Sequence, residues 1–132
     1  MTMRIAFVCG PYKGESHFEV KSNMRVAERT ALDLWFAGFA VICPHLNSAW
    51  MSGAVPEDNF YSGYLEILGQ CDLVVLCGDW RLSSGALAEK SAAEAAGIYV
   101  AHNVEEAIKW RKAIDGDSSR RDDGTACVTE IG

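Results

Sequence analysis

Four short apolar runs, each stopped by a turn residue and separated from the next by helical patterning, constrain this 132-residue chain more than any other feature. Arg4-Ile5-Ala6-Phe7-Val8-Cys9 stops at Gly10-Pro11, and Ala40-Val41-Ile42-Cys43 stops at Pro44. Leu73-Val74-Val75-Leu76-Cys77 stops at Gly78-Asp79, and Ile98-Tyr99-Val100-Ala101 at His102-Asn103. Runs without polar alternation are how strands buried on both faces look. Between them, Val20, Met24, Ala27, Ala31, Leu34 and Trp35 recur at spacings of three and four, which predicts one helix face, with Gly38 as its left-handed stop. Pro56-Glu57-Asp58 opens a second helix with a proline and acids in the first turn, and Leu65 and Leu68 supply its buried stripe. The alanine-rich segment 86–96 closes at Gly97, and a last helix covers 104–113, with Ala107, Ile108 and Trp110 available for packing. Residues 44–56 read as a long loop.

Parallel strands need crossover connections, so strands alternating with helices predict an α/β single-domain open parallel sheet, flavodoxin-like or Rossmann-like, with helices on both faces. Run 73–77 is expected to be central. The domain is expected over 1–114, and 115–132, where periodicity is lost, is expected to be a mobile polar tail.

Composition narrows the functional classes. Eighteen acidic against twelve basic residues give a net charge of −6, which repels a long nucleic acid and suits a small ligand better. No apolar run approaches the roughly 20 residues of a bilayer span, and the N-terminus lacks a signal-peptide layout, so no membrane partner and a cytoplasmic location are expected. Cys9, Cys43, Cys71, Cys77 and Cys127 are odd in number and form no CxxC, which favours free buried thiols in a reducing compartment. His17, His45 and His102 show no ligand spacing, so no metal and no cofactor are expected.

Ligands of open parallel sheets bind beyond the carboxyl ends of the strands, which selects the loops 10–14, 44–50, 78–85 and 102–103. In the third of these, Ser83, Ser84 and Gly85 open a helix, with Glu89 about one turn in. Free N–H groups and the helix dipole there favour an anion such as phosphate, and a positioned carboxylate can attack a sugar carbon. The same residues also serve as an ordinary helix cap followed by a solvated glutamate. Gly10, Tyr12, Lys13 and Gly14 could line a phosphate or sugar pocket, but the spacings of a Walker A or a GxGxxG loop are absent. His45 and Asn47 offer hydrogen bonds to a nucleobase, and Trp50 and Trp80 offer stacking surfaces, though all four residue types commonly serve turns and packing.

The motifs FVCGPYKG, GFAVICPHLNSA, CDLVVLC and SSGALAE, in that order over about residues 4–112, resemble the nucleoside 2-deoxyribosyltransferase-like superfamily. That superfamily includes the deoxynucleoside 5'-monophosphate N-glycosidases. The resemblance implies that Glu89 is a nucleophile at the anomeric carbon of a nucleoside or nucleotide, passing through a glycosyl-enzyme intermediate to hydrolysis or base transfer. It also implies that Ser83 meets a 5'-phosphate, that Gly10 is the turn glycine of the first strand, that His45 lies near the base, and that a homo-oligomer completes the pocket. Trp35, Trp50, Trp80 and Trp110 are many rings for so small a core, in keeping with an interface. Two positions depart from the superfamily pattern: Phe7 replaces a tyrosine, and Tyr64 replaces a second carboxylate. Glu66 lies about 200° round the helix from position 64 and is no simple substitute. The residues therefore admit either an N-glycosidase or transferase, or a nucleotide-binding module without turnover.

Overall fold

The computed structural model describes residues 3–116. Four strands, β1 (Ile5–Cys9), β2 (Ala40–Ile42), β3 (Leu73–Leu76) and β4 (Tyr99–Ala101), form one sheet in the order β2-β1-β3-β4. All three pairings are parallel, with Phe7 opposite both Ile42 and Val74, and Val74 opposite Val100. The open parallel α/β architecture expected from the alternating pattern is therefore present, and β1 shares the centre of the sheet with β3.

Strand alternation sends side chains to two separate cores. Ala6 and Val8 of β1 join Leu73 and Val75 of β3 under helices α1 (His17–Phe36) and α5 (Val104–Asp115). Phe7 and Cys9 join Val74 and Leu76 on the other face, under α3 (Glu57–Leu68) and α4 (Ser84–Ala95). Every residue of β3 is buried, as its unbroken apolar run requires.

Helix α1 begins with a reciprocal cap: Ser16 Oγ accepts the Glu19 N–H at 3.1 Å, and the Glu19 carboxylate accepts the Glu15 N–H at 2.7 Å. It stops where Gly38 takes φ +96°, a left-handed conformation that a side chain would oppose. Ala27, Ala31 and Leu34 form its buried stripe, whereas Trp35 is half exposed because one residue past Leu34 turns it about 100° away from the sheet.

Residues 44–56 are not a plain loop. Pro44–Asn47 forms a short helix, α2, and Ala49–Met51 a 3₁₀ turn. Pro44 needs no N–H at a helix start, and the Leu46 and Asn47 N–H groups close on the Cys43 carbonyl at 3.0 and 2.9 Å. Helix α5 also runs two residues beyond the expected end. Its last residue, Asp115, accepts from Arg4 Nε at 2.9 Å, while Arg4 also pairs with Asp72, whose carboxylate accepts the Ile5 N–H at 2.7 Å. These bonds clamp the end of α5 to the starts of β1 and β3. The remainder of the expected tail, 117–132, including Cys127, lies outside the described residues.

Candidate active site

The chain runs from β1 through α1 to β2 on one side, then returns across β1 to β3, so the strand order reverses between β1 and β3. At the carboxyl ends of these two strands the backbone segments close tightly. The Cys77 N–H donates to the Cys9 carbonyl at 2.9 Å, and a Cβ on Gly10 would stand 2.5 Å from Cys77 Sγ and 2.8 Å from its carbonyl oxygen. Glycine at position 10 is thus demanded by packing. Gly78, with φ +60°, turns the chain away from β3 into a 3₁₀ turn, Trp80–Leu82, and then into α4.

Helix α4 brings Ser83, Ser84, Gly85 and Glu89 to this edge. Ser83 is the N-cap, and its Oγ accepts the Ala86 N–H at 3.1 Å while its carbonyl accepts from Leu87 at 2.9 Å. That leaves the N–H groups of Ser84 and Gly85, on exposed residues, as the open donors of the first turn. A Cβ on Gly85 would meet only Ser83 Oγ at 3.9 Å, so nothing within the fold requires this glycine.

One turn later, Glu89 leans back over the sheet toward Cys9. The Cys9 side chain is wholly buried, and its thiol donates to the Ala86 carbonyl at 3.4 Å. Burial pushes the Glu89 carboxyl up to about 7 from an ordinary 4.5, and a hydrogen bond from Cys9 offsets part of that rise. Glu89 is consequently a semi-buried carboxyl that titrates near neutrality, in keeping with chemistry and not with a solvated helix face. Burial pushes the Cys9 thiol far upward, so it stays protonated.

Trp80 packs against the cluster beneath α4, ringed by Arg81 at 4.4 Å, Lys90 at 5.6 Å and the His102 ring at 6.0 Å. Both cations lie against the indole ring, and Lys90 also pairs with Glu94 at 2.7 Å.

The other expected site residues lie on the β1 and β2 side of the edge. Tyr12 is partly exposed and meets the His45 ring edge-on at 5.7 Å. Lys13 is exposed and pairs with Glu57 of α3 at 3.0 Å, so its ammonium is directed to α3 and not to the start of α4. His45 is buried in α2, where Nε2–H donates to the Pro11 carbonyl at 2.7 Å. Its Nδ1 is buried with no hydrogen-bond partner among the described residues. Burial lowers its pKa against the raising effect of the Pro11 and Gly10 carbonyls, which keeps the ring neutral and ties α2 to the loop after β1.

Asn47 Nδ2 donates to the Tyr64 hydroxyl at 3.0 Å, and that hydroxyl donates to Ser48 Oγ at 2.9 Å. Tyr64 therefore links α3 to the end of α2. Phe7 is wholly buried in the same core as Cys9. No spacing along the chain signals the relation of Cys9 to Glu89, although period-two alternation from Phe7 does place Cys9 on one definite face of β1.

On the opposite face of the sheet, beyond β3 and β4, an open groove of about 430 Å³ is lined by residues that include Thr30, Asp33, Cys77, His102 and Glu105. It holds the 102–103 loop, but Glu89 belongs to the other face. No group of three or more His, Cys, Asp or Glu side chains among the described residues is arranged to hold a metal ion. Nor is any described helix long and apolar enough to cross a membrane.

Residues 4–102 match a family described as Domain of unknown function (DUF4406). The chain belongs to that family. The DUF4406 match spans all four strands and α4, so it includes both the β1–β3 edge and Glu89. No curated protein matches the sequence.

Proposed function

We propose that this DUF4406 protein cleaves, or transfers, the N-glycosidic bond of a nucleoside or nucleoside 5'-monophosphate, with Glu89 as nucleophile. The observation that carries this reading is a carboxyl group of perturbed acidity one turn inside a helix whose first N–H groups are open, at the strand-order reversal of a parallel sheet. The resemblance to the nucleoside 2-deoxyribosyltransferase-like superfamily supports it. A Glu89 oxygen bonds to the anomeric carbon, the C–N bond breaks, and the base leaves with the electron pair and takes a proton from solvent. Water then attacks the glycosyl ester, releasing the sugar and restoring the carboxylate; a second base in place of water gives transfer. Ser84 and Gly85 N–H groups, with Arg81 nearby in sequence, hold the anionic end of the substrate.

The wild-type protein is expected to release free base from at least one nucleoside 5'-monophosphate in a panel read by chromatography. Because the nucleophile must be ionised, the rate is expected to rise with pH through about 7. Tyr64 favours a second reading, a nucleotide-binding module, because a hydroxyl engaged with Ser48 is no replacement for an acid at the leaving base. Nucleotide binding by calorimetry without base release across the panel would decide for that module.

We further propose that the protein works as a homo-oligomer in the cytoplasm. Trp50 is 98% exposed and Leu82 85% exposed, both in the strand-end segments, as large apolar side chains that a second copy would cover. Light scattering at micromolar concentration is expected to give at least twice the chain mass, and a monomer would remove the shared-pocket element of the proposal.

A further inference from the structure

The proposed chemistry leaves the Cys9 thiol, a polar group at the base of the site, without a role. Cys9 ends β1 and faces α4, because residues 7 and 9 alternate to the same side of the sheet. Ala86 and Glu89 are three residues apart and share the face of α4 that covers it. The thiol donates to the Ala86 carbonyl at 3.4 Å, and the Glu89 carboxyl stands near enough that Cys9 acts on its acidity. A thiol has one hydrogen to give, and a carboxylate is a far better acceptor for it than a peptide carbonyl already inside a helix.

We propose that Cys9 is a positioning residue for Glu89, swinging its single hydrogen from the Ala86 carbonyl to the carboxylate when Glu89 ionises, and so aiming one oxygen while favouring the ionised form. The inference rests on the reading of Glu89 as the nucleophile. Being wholly buried, Cys9 stays a neutral donor at any working pH. The charged and titratable groups that act on the thiol are Glu89 and Lys90 of α4 and Cys77 after β3. Tyr64, the phenol in the same core, gives its hydrogen to Ser48. Of these groups, Cys9 is the one that acts on the Glu89 carboxyl, and it lowers its pKa.

The test is a titration of the Glu89 side-chain carboxyl by carbon NMR in the wild type, Cys9→Ala and Cys9→Ser, alongside the pH profile of base release. Losing a donor to the charged form raises a carboxyl pKa, so Cys9→Ala is expected to move the Glu89 midpoint up by about 0.5–1 unit. At pH 6 that corresponds to a fall in base release of roughly 3- to 10-fold. Serine keeps the geometry and donates more strongly, so Cys9→Ser is expected to hold the midpoint at or below the wild-type value. Should alanine fail to fold, Cys9→Val, which fills the site without a donor, takes its place with the same upward shift expected. A Glu89 midpoint that ignores both substitutions, or that rises equally in both, overturns the proposal. The carboxyl titration needs no turnover, so a failure of the coupling is distinguishable from a failure of the N-glycosidase reading.

Discussion

Replacing Glu89 with glutamine is expected to abolish base release and, in the same protein, to raise stability at pH 8. An amide cannot form the glycosyl ester, so the loss of rate is expected to be at least about a thousandfold. The gain in stability follows from the same burial that perturbs the carboxyl. Glu89 titrates near 7 in the fold against 4.5 when unperturbed, so the folded protein holds the proton more tightly than the unfolded chain does. Its stabilising effect is complete below pH 4.5 and disappears as pH rises through about 7. Above that, the fold carries a partly desolvated charge, and a neutral isostere removes a penalty of about 1–3 kcal/mol. Urea unfolding of the Glu89→Gln variant is therefore expected to show a higher midpoint than wild type at pH 8 and a similar one at pH 4. An equal midpoint at pH 8 would mean that Glu89 is solvated and that no stability has been surrendered to hold it in place.

Gly10→Ala is expected to be the most damaging single-methyl change in the fold. Its Cβ would stand 2.5 Å from Cys77 Sγ and 2.8 Å from the Cys77 carbonyl oxygen. Sulfur could rotate away, but the carbonyl belongs to a backbone whose N–H is bonded to Cys9, so relief requires the ends of β1 and β3 to part. Overpacking of this kind costs about 2–4 kcal/mol, read as a lower urea midpoint at unchanged slope. A companion Cys77→Ala substitution removes the sulfur but not the carbonyl and is expected to recover only part of the loss. Full recovery would place the conflict on the side chain alone.

Sheet order aside, most of the fold can be read along the chain because its strands are uninterrupted apolar runs and its helix ends carry local signals. Leu73 to Leu76 reads as an interior strand from its valine pair and the turn residues that bound it, and Gly38 and Gly97 mark left-handed turns that few other residues accept. Pro44–Asn47 is illegible as a helix since four residues make too short a period to recognise. Trp35 misleads because it adjoins a true stripe residue and lies just off the buried arc. At the site, Glu89 is legible from its distance to a capped helix start, a purely local relation. The direction taken by Lys13 is not, for its partner Glu57 is 44 positions away and only the folded loop brings them together. The contact of Cys9 with the Ala86 carbonyl likewise depends on how closely α4 packs over β1, a distance no spacing encodes.

The central place of β1 also has a consequence for synthesis. This strand is synthesised before the other three, yet its neighbour β3 pairs with it from Leu73 onward, roughly 70 residues later. At elongation rates of about 5–20 residues per second, Ile-Ala-Phe-Val-Cys waits several seconds with at least one ladder edge open. An early strand of this composition invites capture by another nascent chain or a holding chaperone. The same arrangement that puts the β1–β3 edge in the middle of the sheet thus makes the newly made strand dependent on timely arrival of β3.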